Sequence, residues 1–143
     1  MQQHQTKRRV LVLCTANSAR SQLAEGLLRH DFGDQLDVYS AGTFATSVRP
    51  EAIIVLAEIG IDISGHRSKS VDEFRDQPFD DVLTVCDAAA ETCPNFPGAA
   101  RRHHRGLQDP VTVGGTETNR LEAFRCTRDK LRSWFQELYQ NES

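Results

Sequence analysis

Val10-Leu11-Val12-Leu13-Cys14-Thr15-Ala16-Asn17-Ser18-Ala19-Arg20-Ser21-Gln22 is the stretch on which the fold turns. Four apolar, partly β-branched residues, Val10 to Leu13, read as a buried strand. Cys14 falls where that strand ends. Small or polar residues follow, and Leu23, Ala24, Leu27 and Leu28 then open a helical apolar stripe. The cysteine therefore sits in a loop between a strand end and a helix start. Backbone N–H groups there lack intrahelical partners and carry partial positive charge, so they form an anion site. Such a site favours a thiolate. Arg20 adds a planar fork of donors suited to a tetrahedral oxyanion.

Spacing alone is weak evidence. With four cysteines and fourteen arginines in 143 residues, a bare Cys-x5-Arg arises by chance about 0.4 times. The context carries the signal: strand before, helix after, no bulky residue between, Ser21 directly behind the arginine. The alternative is a buried structural cysteine beside a helix capped by Asn17 or Ser18.

Working outward, the chain reads as a single domain, residues 1–143, with a core from about 7 to 139. Apolar content is 38%, charged content 26% and net charge −3, as in an ordinary soluble globule. No basic field suited to nucleic acid is present; Lys7-Arg8-Arg9 is a solvated lead-in to a strand. No apolar run reaches membrane-spanning length, and the polar head Met1 to Thr6 does not read as a signal peptide. A cytoplasmic monomer without nucleic-acid or membrane partners is expected. In that compartment cysteines stay reduced.

The element order reads β-α-β-α-β-loop-β-α. The first helix runs to about His30 and ends near Gly33. Leu36, Val38 and Tyr39 form a second strand with Ser40-Ala41-Gly42 as its exit. Pro50 opens a helix whose apolar face is Ile53, Leu56, Ala57 and Ile61, with Gly60 as its cap. Ser70-x-x-Glu73 resembles a capping box. Asp80 to Val85 reads as the third strand and His103 to Leu107 as the fourth. The last helix is long, with Leu121, Phe124, Leu131, Phe135 and Leu138 on one stripe and Trp134 beside it. Strands alternating with helices predict an α/β fold: a three-layer α/β/α arrangement around a four-stranded parallel sheet. Ligands in such sheets lie at the carboxyl ends of the strands. Cys14, the loop after Ser40, Cys86 and Asp109 all follow predicted strands and are expected on one rim.

Six residues separate Cys86 from Cys93, too many for the usual zinc pair, and His103 and His104 would point to opposite faces of a strand. No metal is expected. One thiol near the site and another farther out is the arrangement that stepwise disulfide exchange requires. Cys126 lies off the apolar stripe and is read as incidental. Asp109-Pro110 places a carboxylate on the rim, either as a general acid or as an ordinary turn aspartate.

With these residues in place the chain resembles the low-molecular-weight protein tyrosine phosphatase superfamily, and within it the thioredoxin-coupled arsenate reductases. The resemblance runs through Cys14 to Gly26, Tyr39-Ser40-Ala41-Gly42, Gly60 to Ser64, Cys86 to Pro94, and Asp109-Pro110. It implies a low-molecular-weight phosphatase-like fold and an arsenate or phosphate-like oxyanion substrate. Cys14 is the implied nucleophile. Thr15, Ala16, Asn17, Ser18, Ala19 and Arg20 hold the oxyanion, Asn17 also bracing the loop. Ser21 donates to Cys14, Asp109 is the general acid, and Cys86 and Cys93 are successive resolving thiols. No cofactor is bound; reducing equivalents come from thioredoxin or another thiol donor. The alternative it implies is a phosphatase acting through a phosphocysteine. Three positions depart from the pattern. Ala19 replaces a second loop cysteine. Val111 and Thr112 stand where phosphatases carry tyrosines, so part of the aromatic wall that a phosphotyrosine ring would use is expected to be missing. Lys69 stands where some reductases carry an acidic residue associated with potassium, and its ammonium is a candidate for that role.

Overall fold

A computed structural model describes residues 7–86 and 101–140. Four strands, β1 (Arg8–Cys14), β2 (Leu36–Gly42), β3 (Asp81–Thr84) and β4 (Arg101–His104), form one sheet in the order β2-β1-β3-β4. Every pairing is parallel: Val10 opposes both Val38 and Asp81, and Thr84 opposes both Leu13 and His104. The continuous apolar run of β1 follows from this placement, since a central parallel strand is covered on both faces. Val10 to Cys14 are all buried.

Three helices are described: α1 (Arg20–Phe32), α2 (Pro50–Ala57) and α3 (Glu117–Tyr139). They pack on one another, and α1 lies against the sheet face that carries Ser40, whose hydroxyl reaches Glu25 on α1. The opposite face carries Tyr39, whose ring meets Phe74 and Phe79 at 5.7 and 5.9 Å. Phe74 belongs to a short 3-10 turn, Val71–Phe74. The sheet is thus sandwiched, and among the described residues no helix is long and apolar enough to cross a membrane.

Several expectations shift in detail. The fourth strand lies at Arg101–His104, earlier than His103 to Leu107, because Arg101 joins Asp81 in the ladder. Ser40 to Gly42 continue β2 rather than leaving it. The buried face of α2 is Ala52, Val55 and Leu56; Ile53 is only partly buried and Ala57 is exposed. Gly60 does take the left-handed conformation, with φ +83°. The capping box is half formed: Ser70 accepts from Asp72 N–H, but Glu73 pairs with Arg67 instead of reaching back.

Candidate active site

The loop between β1 and α1 is held from outside by its carbonyls. Thr43 N–H donates to Cys14 O, Phe44 N–H to Thr15 O and Arg49 N–H to Ser18 O. The Thr46 and Ser68 hydroxyls both donate to Ala16 O. A planar peptide points its N–H opposite to its C=O, so outward carbonyls turn the loop amides inward. α1 has no side-chain cap at Ala19, which leaves its first N–H groups open to a ligand and removes the capping alternative for Asn17 and Ser18. Gly42 makes this closeness possible. A Cβ there would stand 2.6 Å from Asn17 N and Thr15 O.

A cleft of about 290 Å³ opens over the loop, lined by Cys14, Thr15, Ala16, Ser18, Ala19, Arg20, Phe44 and Asp109. Cys14 Sγ lies 2.8 Å from Ser21 Oγ. Arg20 is largely buried; its Nη1 donates to Leu107 O at 3.0 Å and its Nη2 stands 3.5 Å from Asp109 Oδ2. Asp109 is a turn aspartate that lies on the rim of the cleft. Its Oδ1 accepts from Val111 N–H to start the 3-10 turn Pro110–Thr112, while its other oxygen faces Arg20. Cys86, buried just past the end of β3, has its Sγ 3.1 Å from the hydroxyl of Thr15, the neighbour of Cys14. Cys93 lies outside the described residues. Cys126 is exposed on α3 and does not line this cleft. Among the described residues no cluster of His, Cys, Asp or Glu could hold a metal ion.

Asn17 sits at φ 50°, a left-handed conformation uncommon outside glycine. Its amide binds four groups: Nδ2 donates to Ser21 and Ser40, and Oδ1 accepts from Gln22 Nε2 and Lys69 N–H. Behind it, buried Glu25 accepts from Ser40 and stands 3.3 Å from Arg29, 3.5 Å from Lys69 Nζ and 3.6 Å from His66 Nε2. Of these supporters, sequence reading overlooked Gln22, Glu25 and His66. The missed signal is a row of polar residues, Ser21, Gln22 and Glu25, on the first turns of a helix expected to be apolar inward. Phe44 was missed too. It is half exposed at the cleft mouth, so one aromatic wall exists although Val111 and Thr112 supply none.

A thiol, an arginine and a carboxylate around an amide-lined hollow, on a parallel sheet of this order, find close counterparts. The model of the low molecular weight phosphotyrosine protein phosphatase family matches residues 9–142. The chain belongs to that family. Among relatives, an arsenate reductase from Halalkalibacterium halodurans is 43% identical over 125 residues, 87% of this chain and 90% of that one. A solved arsenate reductase in a phosphate-binding state superposes with a TM-score of 0.82 at 29% identity, covering 95% of this chain and 99% of the other. A thioredoxin-dependent arsenate reductase from Corynebacterium glutamicum gives a TM-score of 0.66 at 26% identity, covering 95% of this chain and 64% of that one. The phosphatase-family fold expected from the sequence is therefore the observed one.

Proposed function

We propose that this family member is an arsenate reductase working through Cys14, Cys86 and Cys93, reset by thioredoxin. One observation carries the reading: a second buried thiol, Cys86, touches the residue next to Cys14. Phosphoester hydrolysis has no use for it, whereas arsenate reduction needs two electrons from a thiol pair. The Cys14 thiolate attacks arsenic, and an oxygen leaves as water with a proton from Asp109. Arg20 and the loop amides hold the remaining oxyanion. Cys86 thiolate then attacks Cys14 Sγ. The S–S bond forms, the S–As bond breaks with its electron pair staying on arsenic, and arsenite departs. Cys93 attacks Cys86 and releases Cys14 as thiolate; the dithiol of thioredoxin reduces the Cys86–Cys93 bond.

The test is single-turnover reduction of arsenate followed by mapping of the oxidised product. About one arsenite per chain is expected from the wild type and none from Cys86→Ser. Arsenite formation undiminished in Cys86→Ser would overturn the relay. A second reading, a phosphatase acting on aryl phosphates, is favoured by Phe44 at the cleft mouth. Wild-type hydrolysis of such an ester without arsenate reduction would select it.

A further inference from the structure

We propose that Gln22 is a positioning residue that, together with the backbone N–H of Lys69, sets the direction of the hydrogen bonds ending on Cys14 Sγ. The proposal rests on the reading of Cys14 as the nucleophile. Gln22 is fully buried on the first turn of α1. Its Nε2 faces three oxygens: Asn17 Oδ1 at 2.9 Å, Arg67 O at 3.0 Å and Asn17 O at 3.2 Å. Only the nitrogen end of the amide can sit there, because an oxygen would meet three acceptors. The other end, Oε1, therefore accepts from His66 Nδ1 at 3.1 Å.

The consequence propagates in one direction. With Oδ1 of Asn17 taken by Gln22 Nε2 and Lys69 N–H, its Nδ2 must face the Ser21 and Ser40 hydroxyls, at 2.7 and 3.0 Å. Ser21 Oγ, already accepting an N–H, turns its own proton to the partner that remains, Cys14 Sγ at 2.8 Å. Ser40 likewise donates to Glu25 Oε1. Gln22 and Lys69 N–H thus impose together, two bonds away, that the serine is a donor to sulfur. Donation to the charged form favours it. The bond to Asn17 O also pins the left-handed residue of the loop. The charged or titratable groups around Cys14 are Arg20 on α1, Asp109 after β4 and Cys86 after β3. No described hydrogen bond joins any of them to Gln22, so a change at Gln22 reaches the sulfur through Asn17 and Ser21.

The experiment follows alkylation of the Cys14 peptide by iodoacetamide against pH in wild type, Gln22→Glu and Gln22→Met, with thermal unfolding of each. Gln22→Glu places an acceptor against three oxygens. It is expected to move the alkylation profile to higher pH by about one unit, which slows the reaction about tenfold at pH values below the wild-type midpoint. Gln22→Met cannot donate but does not oppose, and is expected to slow it about threefold; it serves if Gln22→Glu does not fold. A role confined to packing would lower thermal stability and leave the profile in place. Variant profiles that superpose on a fast wild-type profile would overturn the proposal alone. A wild-type Cys14 as slow as an ordinary thiol would overturn the nucleophile reading and this proposal with it.

Discussion

Two carboxylates are buried at opposite ends of the sheet, and they are held in opposite ways. Asp81 opens β3, at the end away from Cys14. Arg8 and Arg101 each grip it with two nitrogens, at 2.8 and 3.4 Å and at 2.9 and 3.1 Å, and Tyr139 adds its hydroxyl at 2.8 Å. Glu25, beneath the Cys14 loop, has one close donor, Ser40, and three basic groups at 3.3 to 3.6 Å. The first site is saturated and admits one geometry. It ties β1, β3, β4 and the end of α3 together. The second is surrounded by basic groups that stand farther off and bind other partners as well: Arg29 donates to Val38 O, Lys69 Nζ to Arg67 O and His66 Nδ1 to Gln22. A saturated carboxylate stabilises a fold; a loosely surrounded one tunes a site.

The sharpest way to break this contrast is Asp81→Asn. Removing one partner of a buried charge cluster typically costs 3–5 kcal/mol; both guanidiniums here are partly exposed, so about 3 kcal/mol is expected, with arsenate turnover preserved. Burial by itself would raise the Asp81 carboxyl, but the hydrogen bonds from Arg101, Arg8 and Tyr139 outweigh it and hold it well below the usual carboxylate range. The unfolded chain binds that proton near pH 3.9 while the native chain does not. The contribution is therefore complete above about pH 4 and is lost as pH falls below it. Urea unfolding at pH 7 and pH 3.5 checks both parts: the variant loses stability at pH 7 and shows a flatter acid limb. Equal midpoints at pH 7 would dissolve the contrast. Glu25→Gln is the smaller lesion. It keeps an oxygen for Ser40 and is expected to cost about 1–2 kcal/mol, with its main effect on single-turnover arsenate reduction, about tenfold slower. Loss of stability as large as in Asp81→Asn, with the rate unchanged, would place Glu25 in the scaffold instead.

The asymmetry between the two ends also governs what could be read from residues alone. The strand and helix around Cys14 announce themselves because Val10 to Leu13 and Leu23 to Leu28 follow simple apolar periods. The rim could be assembled because parallel sheets bring their strand ends together, so Cys14, Cys86 and Asp109 were placed without contacts. β4 was misplaced because Arg101-Arg102-His103-His104 has no apolar alternation; Arg101 enters the ladder through its ion pair with Asp81, a partner twenty residues away. Glu25 and His66 escaped notice for the same reason. Burial of a polar side chain is decided by partners distant in sequence, Ser40 for one and Gln22 for the other, and periodicity does not report it.

The smallest effect separates the two ends by pH. His66 packs between α1 and the segment that carries Lys69. Burial pushes its pKa below 6.5; Glu25 and Asp62 pull it back up, while Arg29 and Lys69 push it further down. Its Nδ1 proton is committed to Gln22, so a second proton can enter only at Nε2, facing Glu25. The unfolded chain takes that proton first as pH falls. The stabilising contribution of neutral His66 is thus complete above about pH 6.5 and is lost as pH drops through the lower native value. Stability lost near neutrality belongs to the Glu25 end, and stability lost below about pH 4 to the Asp81 end. An NMR titration of the His66 ring is expected to give a midpoint below 6.5, and Lys69→Met, which removes a repelling ammonium, is expected to move it up. A midpoint at or above 6.5 in the wild type would mean that Glu25 holds His66 as a cation. The loop end would then be as tightly charge-paired as the Asp81 end, and the difference between a scaffold carboxylate and a tuning one would disappear.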